Sequence, residues 1–325
     1  MRIALVGGAG GIGSSVAYSL VLLGIGSEFV LIDRDDAVLK THVMDLEQLR
    51  VGVRDFQVRA GSLDDLKDAD IVVVSASVPA AKDLPRMAYL AANLGIFEDV
   101  ASSLGEAADW PGVVIVATNP VDPLVTFLQR RTGIDRKRVL GYTINDSLRL
   151  RYGIAEAMDR RPEQVTAWVI GEHGERAVPV FSRVAVDGAP VELDERIRQH
   201  ARRFLFEWYP SWVALGVRRT STWTSGHGIS RMVKEIVAPD GLTWPASFVN
   251  AGEYGVDDVA IGLPVKLGPS GVEHVHVWPL APEELEGIEI AGAYVRESLD
   301  EMEMDAELSE AAKQGGLSQG KELDP

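Results

Sequence analysis

The stretch Arg2-Ile3-Ala4-Leu5-Val6-Gly7-Gly8-Ala9-Gly10-Gly11-Ile12-Gly13 decides the fold. Residues 3–6 form a continuous apolar run, as expected for a strand covered on both faces. Glycines break the run, and a helical pattern starts at Ile12. Gly8, Gly10 and Gly13 fit G-x-G-x-x-G between a strand and a helix, the context in which that pattern cradles a dinucleotide. Gly8 is expected to permit the tight turn, and Gly10 to let the main chain approach a pyrophosphate. Gly13 is expected to let the helix pack closely, with its first N–H groups facing the phosphates. Asp33 ends the next apolar run. A carboxylate there accepts hydrogen bonds from the adenosine ribose hydroxyls and repels a 2′-phosphate, which predicts NAD over NADP, with Arg34 softening the preference.

Outward from this motif, apolar runs at 29–32, 71–74, 113–117 and, more weakly, 139–140 alternate with helical patterns at 12–23, 37–49, 87–104 and 123–131. Such alternation implies a doubly wound parallel sheet. The second half reads differently. Strands are expected at 165–170 and 180–186, and helices around 193–208 and 229–237. Three further strands at 247–250, 259–265 and 272–277 suggest an antiparallel sheet, before a last helix from 282 to about 302. The fold class is therefore α/β, a Rossmann-type doubly wound sheet followed by an α+β catalytic domain. The expected division is 1–145 for the dinucleotide-binding domain, 146–302 for the catalytic domain and 303–325 for an acidic tail. The tail, with Gly315, Gly316, Gly320 and Pro325, is expected to fray.

The chain has 325 residues, 46% hydrophobic and 25% charged, a balance that supports a packed core. It has no cysteine, so neither disulfides nor thiolate metal sites are available. The net charge is −16, and from Glu297 onward there are nine acidic and two basic residues. That charge disfavours nucleic acid and anionic membranes as partners, and an anionic substrate must be drawn in by a local group of arginines. No signal-peptide pattern and no apolar run of membrane-spanning length is present, so the chain reads as a soluble, cytoplasmic protein.

Three segments carry candidate chemistry. Gly171-Glu172-His173-Gly174-Glu175 follows the 165–170 run, with glycines that give the imidazole room for a ligand. Asn145-Asp146-Ser147-Leu148-Arg149 sets a carboxylate and a guanidinium at i and i+3, on one helix face. Asn119-Pro120-Val121-Asp122 follows the fourth strand at the carboxyl edge, where such sheets bind ligands. Arg86 closes the segment 78–86, which contains Pro79, Asp83 and Pro85 and reads as a mobile loop.

With these motifs, and with Gly252-Glu253-Tyr254-Gly255 and Gly262-Leu263-Pro264-Val265, the chain resembles the lactate/malate dehydrogenase family along almost its whole length. The resemblance implies an NAD-dependent enzyme interconverting a small 2-hydroxy acid and its 2-keto acid, assembled as a homodimer or homotetramer. It implies that His173 carries the proton and Asp146 is its partner. Arg149 clamps the substrate carboxylate, Arg86 polarises the reacting carbonyl, and Asn119 contacts both cofactor and substrate. The residue types suit that chemistry. An imidazolium protonates the alkoxide formed as hydride arrives, a carboxylate stabilises the imidazolium, and a guanidinium binds a carboxylate bidentately.

The chain also departs from the family pattern. Ala80 stands where malate-selective relatives carry an arginine for the second carboxylate, and Ala81-Lys82-Asp83 replaces the usual lid sequence. Asn145 replaces a leucine before Asp146, and Ser221 stands where a pocket threonine is common. The resemblance favours malate/oxaloacetate slightly, with Lys82, Arg218 or Arg219 as substitute cations. Ala80 leaves lactate or another monocarboxylic hydroxy acid as the alternative.

Readings of other classes fare less well. A short-chain dehydrogenase needs Tyr-x-x-x-Lys, and no tyrosine here has a lysine four residues on. An inactive nucleotide-binding protein would not need His173, Asp146, Arg149 and Arg86 together. His274-Val275-His276 lacks carboxylate or cysteine companions, so strand packing is preferred to a metal site, and no metal is expected.

Overall fold

Six strands with parallel pairing form one half of a large sheet. They are β1 (Arg2–Val6), β2 (Glu28–Ile32), β3 (Gln57–Ala60), β4 (Ile71–Val74), β5 (Val113–Val116) and β6 (Val139–Tyr142). Their spatial order is β3-β2-β1-β4-β5-β6. The chain direction of the windings reverses between β1 and β4, which opens a crevice at the carboxyl ends of those strands. In this computed structural model residues 1–78, 86–216 and 220–316 are described, with the main chain alone at 86–88 and 303–316.

Helices α1 (Gly11–Leu22), α2 (Asp36–Gly52), α3 (Arg86–Leu104) and α4 (Val121–Thr132) make the connections. The strands are buried along almost their whole length, with Phe29, Leu31 and Ile115 fully enclosed. That explains why they read as unbroken apolar runs. β3 was not expected from the sequence. It is an edge strand with exposed Gln57 and half-buried Arg59, so it lacks the apolar run of the central strands.

The second half adds α5 (Ile144–Ala157), α6 (Glu195–Ala214), α7 (Thr222–Val237) and α8 (Pro282–Gly316). The same sheet continues antiparallel through β12 (Thr243–Ala251), β13 (Asp257–Gly268), β8 (Val169–Gly171) and β9 (Ala177–Pro179), while β14 (Gly271–Val275) pairs with β13. The junction is the pairing of β12 with β6, Ala246 opposite Tyr142 and Ser247 opposite Gly141. One sheet therefore crosses the expected division at 145/146, which itself falls in the first turn of α5.

Two expected strands take another form. The 165–170 run divides into β7 (Val165–Thr166), in a three-stranded sheet with β10 (Ala185–Val186) and β11 (Ala189–Pro190), and β8 in the large sheet. The 180–186 run is broken by a 3-10 turn at Phe181–Arg183. Phe181 instead fills a second apolar cluster with Leu150, Ile154, Val165, Ile197 and Leu205, where α5 packs on α6. The last helix runs past 302 to Gly316, and residues 317–325 lie outside the described residues.

Candidate active site

The nucleotide end is built by the β1–α1 turn. Gly7 has φ +94°, the left-handed conformation that favours glycine. A Cβ there would stand 2.5 Å from the Ala76 nitrogen of the neighbouring strand end. The N–H groups of Gly7 and Gly8 both donate to the Ile32 carbonyl, at 2.8 and 3.0 Å. The tight turn is thus made at Gly7, not at Gly8 as expected. Gly8 lies against Leu31, where a Cβ would come within 2.9 Å of the Leu31 Cβ. A Cβ on Gly13 would be 2.2 Å from the Gly7 carbonyl oxygen, so Gly13 does permit close packing of the helix. The doublet Gly7-Gly8 was the available signal for the turn, masked because Gly8 starts the recognised pattern.

α1 begins at Gly11 with Gly10 as an extended cap that offers no side chain. The first N–H groups of the helix are therefore left for an anion, which fits a dinucleotide pyrophosphate. Asp33 follows β2 directly. Its Oδ2 accepts from the Ala9 N–H at 3.1 Å and its Oδ1 from the Asp35 N–H at 3.2 Å. The two bonds tie the carboxylate to the glycine turn, where a ribose diol would lie. α7 packs on α1. A Cβ on Gly11 would meet the Thr222 hydroxyl at 3.1 Å, which places Ser221, the residue capping α7, beside the start of α1.

Asn119 leaves β5 with an exposed side chain at the carboxyl edge of the sheet. Its carbonyl accepts from Asn93 Nδ2 at 3.1 Å, and Asn93 Oδ1 accepts the Val78 N–H at 2.8 Å. This buried amide joins the loops that follow β4 and β5. Arg86 begins α3, but its side chain lies outside the described residues. Ala80, Lys82, Arg218 and Arg219 lie outside them altogether.

The other candidates meet where α5 approaches the end of β8. His173 Nδ1 and Asp146 Oδ2 are 2.6 Å apart, and Arg149 Nη1 donates to Asp146 Oδ1 at 2.8 Å. Asp146 and Arg149, one turn apart on α5, contact each other as well as sharing a face. The guanidinium of Arg149 stacks on Trp208 of α6, 4.0 Å from the ring centroid. Side-chain exposures of 17% for His173 and Arg149 against 9% for Asp146 leave the cation and the imidazole open to a ligand while the anion is covered. The space behind the array, bordered by Thr143, Asp146, Ile170, Gly171, His173 and Gly262, is too small to hold a water molecule. A larger groove of about 620 Å³ runs along α6 between His200 and Leu215. It meets the array at Trp208, on which Arg149 stacks.

Burial works against charge on His173, but the negative charge and hydrogen bond of Asp146 outweigh it and raise the imidazole pKa. Asp146 is the counterpart: burial would raise its pKa, and His173 with Arg149 holds it below the usual carboxylate value. Burial lowers the Arg149 pKa against the pull of Asp146. The arrangement can hold a proton at His173 Nε2 and present a guanidinium held by the same carboxylate.

Two groups that contact these residues, and a third beside Asp146 in the chain, carry no signal in the sequence for the part they play. Asp122 accepts the His173 main-chain N–H at 2.7 Å, although the motif containing it was recognised. Trp208 supports Arg149 with no pattern to single it out. Asn145 joins Tyr142 and Ser225, accepting from the Tyr142 hydroxyl and donating to Ser225 Oγ, both at 2.9 Å. His274 and His276 pack edge to face with centroids 4.9 Å apart. Among the described residues no cluster of three or more metal-ligating side chains occurs, and no helix is long and apolar enough to cross a membrane.

Comparison with known proteins matches residues 1–141 to the lactate/malate dehydrogenase NAD binding domain, and residues 143–209 and 210–305 to the alpha/beta C-terminal domain of the same family. A malate dehydrogenase of Natronomonas pharaonis is 32% identical, covering 93% of this chain and 99% of its own. An L-lactate dehydrogenase of Halalkalibacterium halodurans is 33% identical, over 88% and 92% of the respective chains. The crystal structure of a minor L-lactate dehydrogenase from Enterococcus mundtii superposes with TM-score 0.82 at 25% identity, over 92% of this chain and 97% of that one.

Proposed function

The chain belongs to the lactate/malate dehydrogenase family, and from that premise we propose that it reduces oxaloacetate to malate, with His173 as the proton carrier. NAD-dependent oxidoreduction of 2-hydroxy acids is the activity common to the family. The observation that supports the assignment is the His173–Asp146–Arg149 array, a protonatable imidazole and a carboxylate-binding guanidinium held by one buried anion.

The Gly10–Gly11 helix start and Asp33 would hold NAD, which in its reduced form would supply the hydride and in its oxidised form accept it. Gly8, Gly10 and Gly13 would shape that site, and Asn119, exposed beyond the end of β5, would contact both cofactor and substrate. In reduction, Arg149 binds the carboxylate of the keto acid and orients the carbonyl towards His173. His173 then delivers its Nε2 proton to the carbonyl oxygen as negative charge develops there, and Asp146 stabilises the imidazolium until that moment. In oxidation His173 starts neutral and takes the hydroxyl proton. The family pattern assigns to Arg86 the positive charge beside the same oxygen, and to Ser221, at the start of α7, a place in the pocket wall.

The choice of acid turns on charge. A second carboxylate left unpaired in a closed pocket costs several kcal/mol. With Ala80 at the lid position, oxaloacetate needs Lys82, Arg218 or Arg219. The same alanine supports a second reading, a lactate or other monocarboxylic 2-hydroxy-acid dehydrogenase. The protein is further read as a cytoplasmic homodimer or homotetramer acting on small acids, with no nucleic-acid or membrane partner.

An initial-rate panel of oxaloacetate, pyruvate and bulkier 2-keto acids, each with NADH and NADPH, tests these points. The expected order places oxaloacetate above pyruvate in kcat/KM and NADH above NADPH. Pyruvate ahead of oxaloacetate would favour the monocarboxylic reading, and equal use of NADPH would remove the role given to Asp33.

A further inference from the structure

Asp122, in the first turn of α4, is fully buried, and both its oxygens are engaged. Oδ1 accepts the Ser247 hydroxyl from β12 at 2.5 Å, and Oδ2 accepts the main-chain N–H of His173 at 2.7 Å. The carboxylate thereby joins three parts of the fold: the helix after β5, the strand that carries the sheet across the domain junction, and the segment after β8 that bears His173. A main-chain tether requires only an acceptor, which an uncharged amide would provide. A carboxylate also brings negative charge, which is costly to bury.

We infer that Asp122 is a positioning residue for His173: it fixes the main chain from which the imidazole projects and sets a second negative charge beside that segment. The inference rests on the reading of His173 as the proton carrier. Asp122 and Asp146 act on different atoms, the first on the main-chain N–H and the second on Nδ1.

Among the described residues, the charged groups facing each of the two are few. Asp122 is faced by Glu172 and His173, and His173 by Asp146 and Arg149 from α5 and by Asp122 from α4. Burial, followed by the charge of Glu172, pushes Asp122 up to about 6, against the hydrogen bonds of Ser247 and His173. The charge of Asp122 adds to that of Asp146 in raising the His173 pKa.

The test is a proton-NMR titration of the imidazole signals in the full chain, with the His173 resonance assigned by its loss in His173→Asn. Asp122→Asn keeps the shape and an acceptor but removes the charge. We expect the His173 pKa to fall by about one unit, with NADH affinity unchanged. The alkaline limb of kcat/KM for keto-acid reduction should move down by the same amount. Ser247→Ala keeps the carboxylate but removes a bond that stabilises its charge, so a smaller fall in the same direction is expected. An unchanged His173 titration in Asp122→Asn overturns the inference. Should that variant not fold, an unchanged titration in Ser247→Ala does so. If the NMR shift appears but the alkaline limb of the unmodified protein does not follow His173, the proton-carrier reading fails while the coupling of Asp122 to His173 stands.

Discussion

At His173 two opposing effects meet in one side chain. Burial disfavours the imidazolium, and Asp146, 2.6 Å from Nδ1, more than restores it. A raised histidine pKa in the folded state stabilises the fold below the unfolded value and ceases to do so as pH rises through the folded value. The depressed pKa of Asp146 has the opposite sense, stabilising above the unfolded value of 3.8 and failing as pH falls through the folded one. The pair is therefore strongest in the window where Asp146 is ionised and His173 protonated, which is also where keto-acid reduction needs it. Asp146→Asn leaves burial unopposed by its main partner. We expect the alkaline limb of the reduction profile to shift to lower pH, and the oxidation rate, which needs neutral imidazole, to persist further into acid. Paired profiles of kcat/KM in both directions check this, and coincident profiles for variant and parent would contradict it. His173, Asp146 and Arg149 were legible in the sequence because each lies in a short ordered motif. Asp122 was not, because its partners are 51 and 125 residues away in the chain and no local spacing records them.

The β1–α1 element separates two uses of glycine. Gly13 is required by packing, since a Cβ would collide with the Gly7 carbonyl at 2.2 Å. Gly10 is less constrained by the fold, as its Cβ would meet only that oxygen, at 3.1 Å. Gly10→Ala should therefore change the melting temperature little but weaken NADH binding, because its methyl group stands where the pyrophosphate approaches. Gly13→Ala should destabilise the protein by about 1–3 kcal/mol or more. Thermal melts and NADH titrations on both variants decide the matter, and equal losses of stability would remove the distinction. Elements of this kind could be read in advance wherever strands are covered on both faces, as β1, β2, β4 and β5 are. Legibility failed where the physics differs. β3 is a half-polar edge strand, the 165–170 run passes from one sheet to another, and the 180–186 run turns inward so that Phe181 can fill the α5–α6 cluster.

Across the whole molecule, one continuous sheet places the dinucleotide turn and the His173 array on a common framework. β6 leads into α5, which carries Asp146 and Arg149, and also pairs with β12, which carries Ser247. The nucleotide half and the half that bears His173 are thus joined by main-chain hydrogen bonds, which suits a hydride transfer that needs fixed relative placement of two ligands. The net charge of −16 opposes an anionic substrate, and in the proposed function Arg149 supplies the local attraction.

The central claim is tested most directly by comparing the unmodified protein with His173→Asn. NADH oxidation is measured with oxaloacetate and with pyruvate, and NADH affinity is followed by fluorescence titration. The account predicts turnover of at least one of these acids by the unmodified protein, roughly 10²–10⁴-fold slower turnover by the variant, and the same NADH affinity in both. Undiminished turnover in His173→Asn, or NADH binding that falls in parallel with activity, would contradict it.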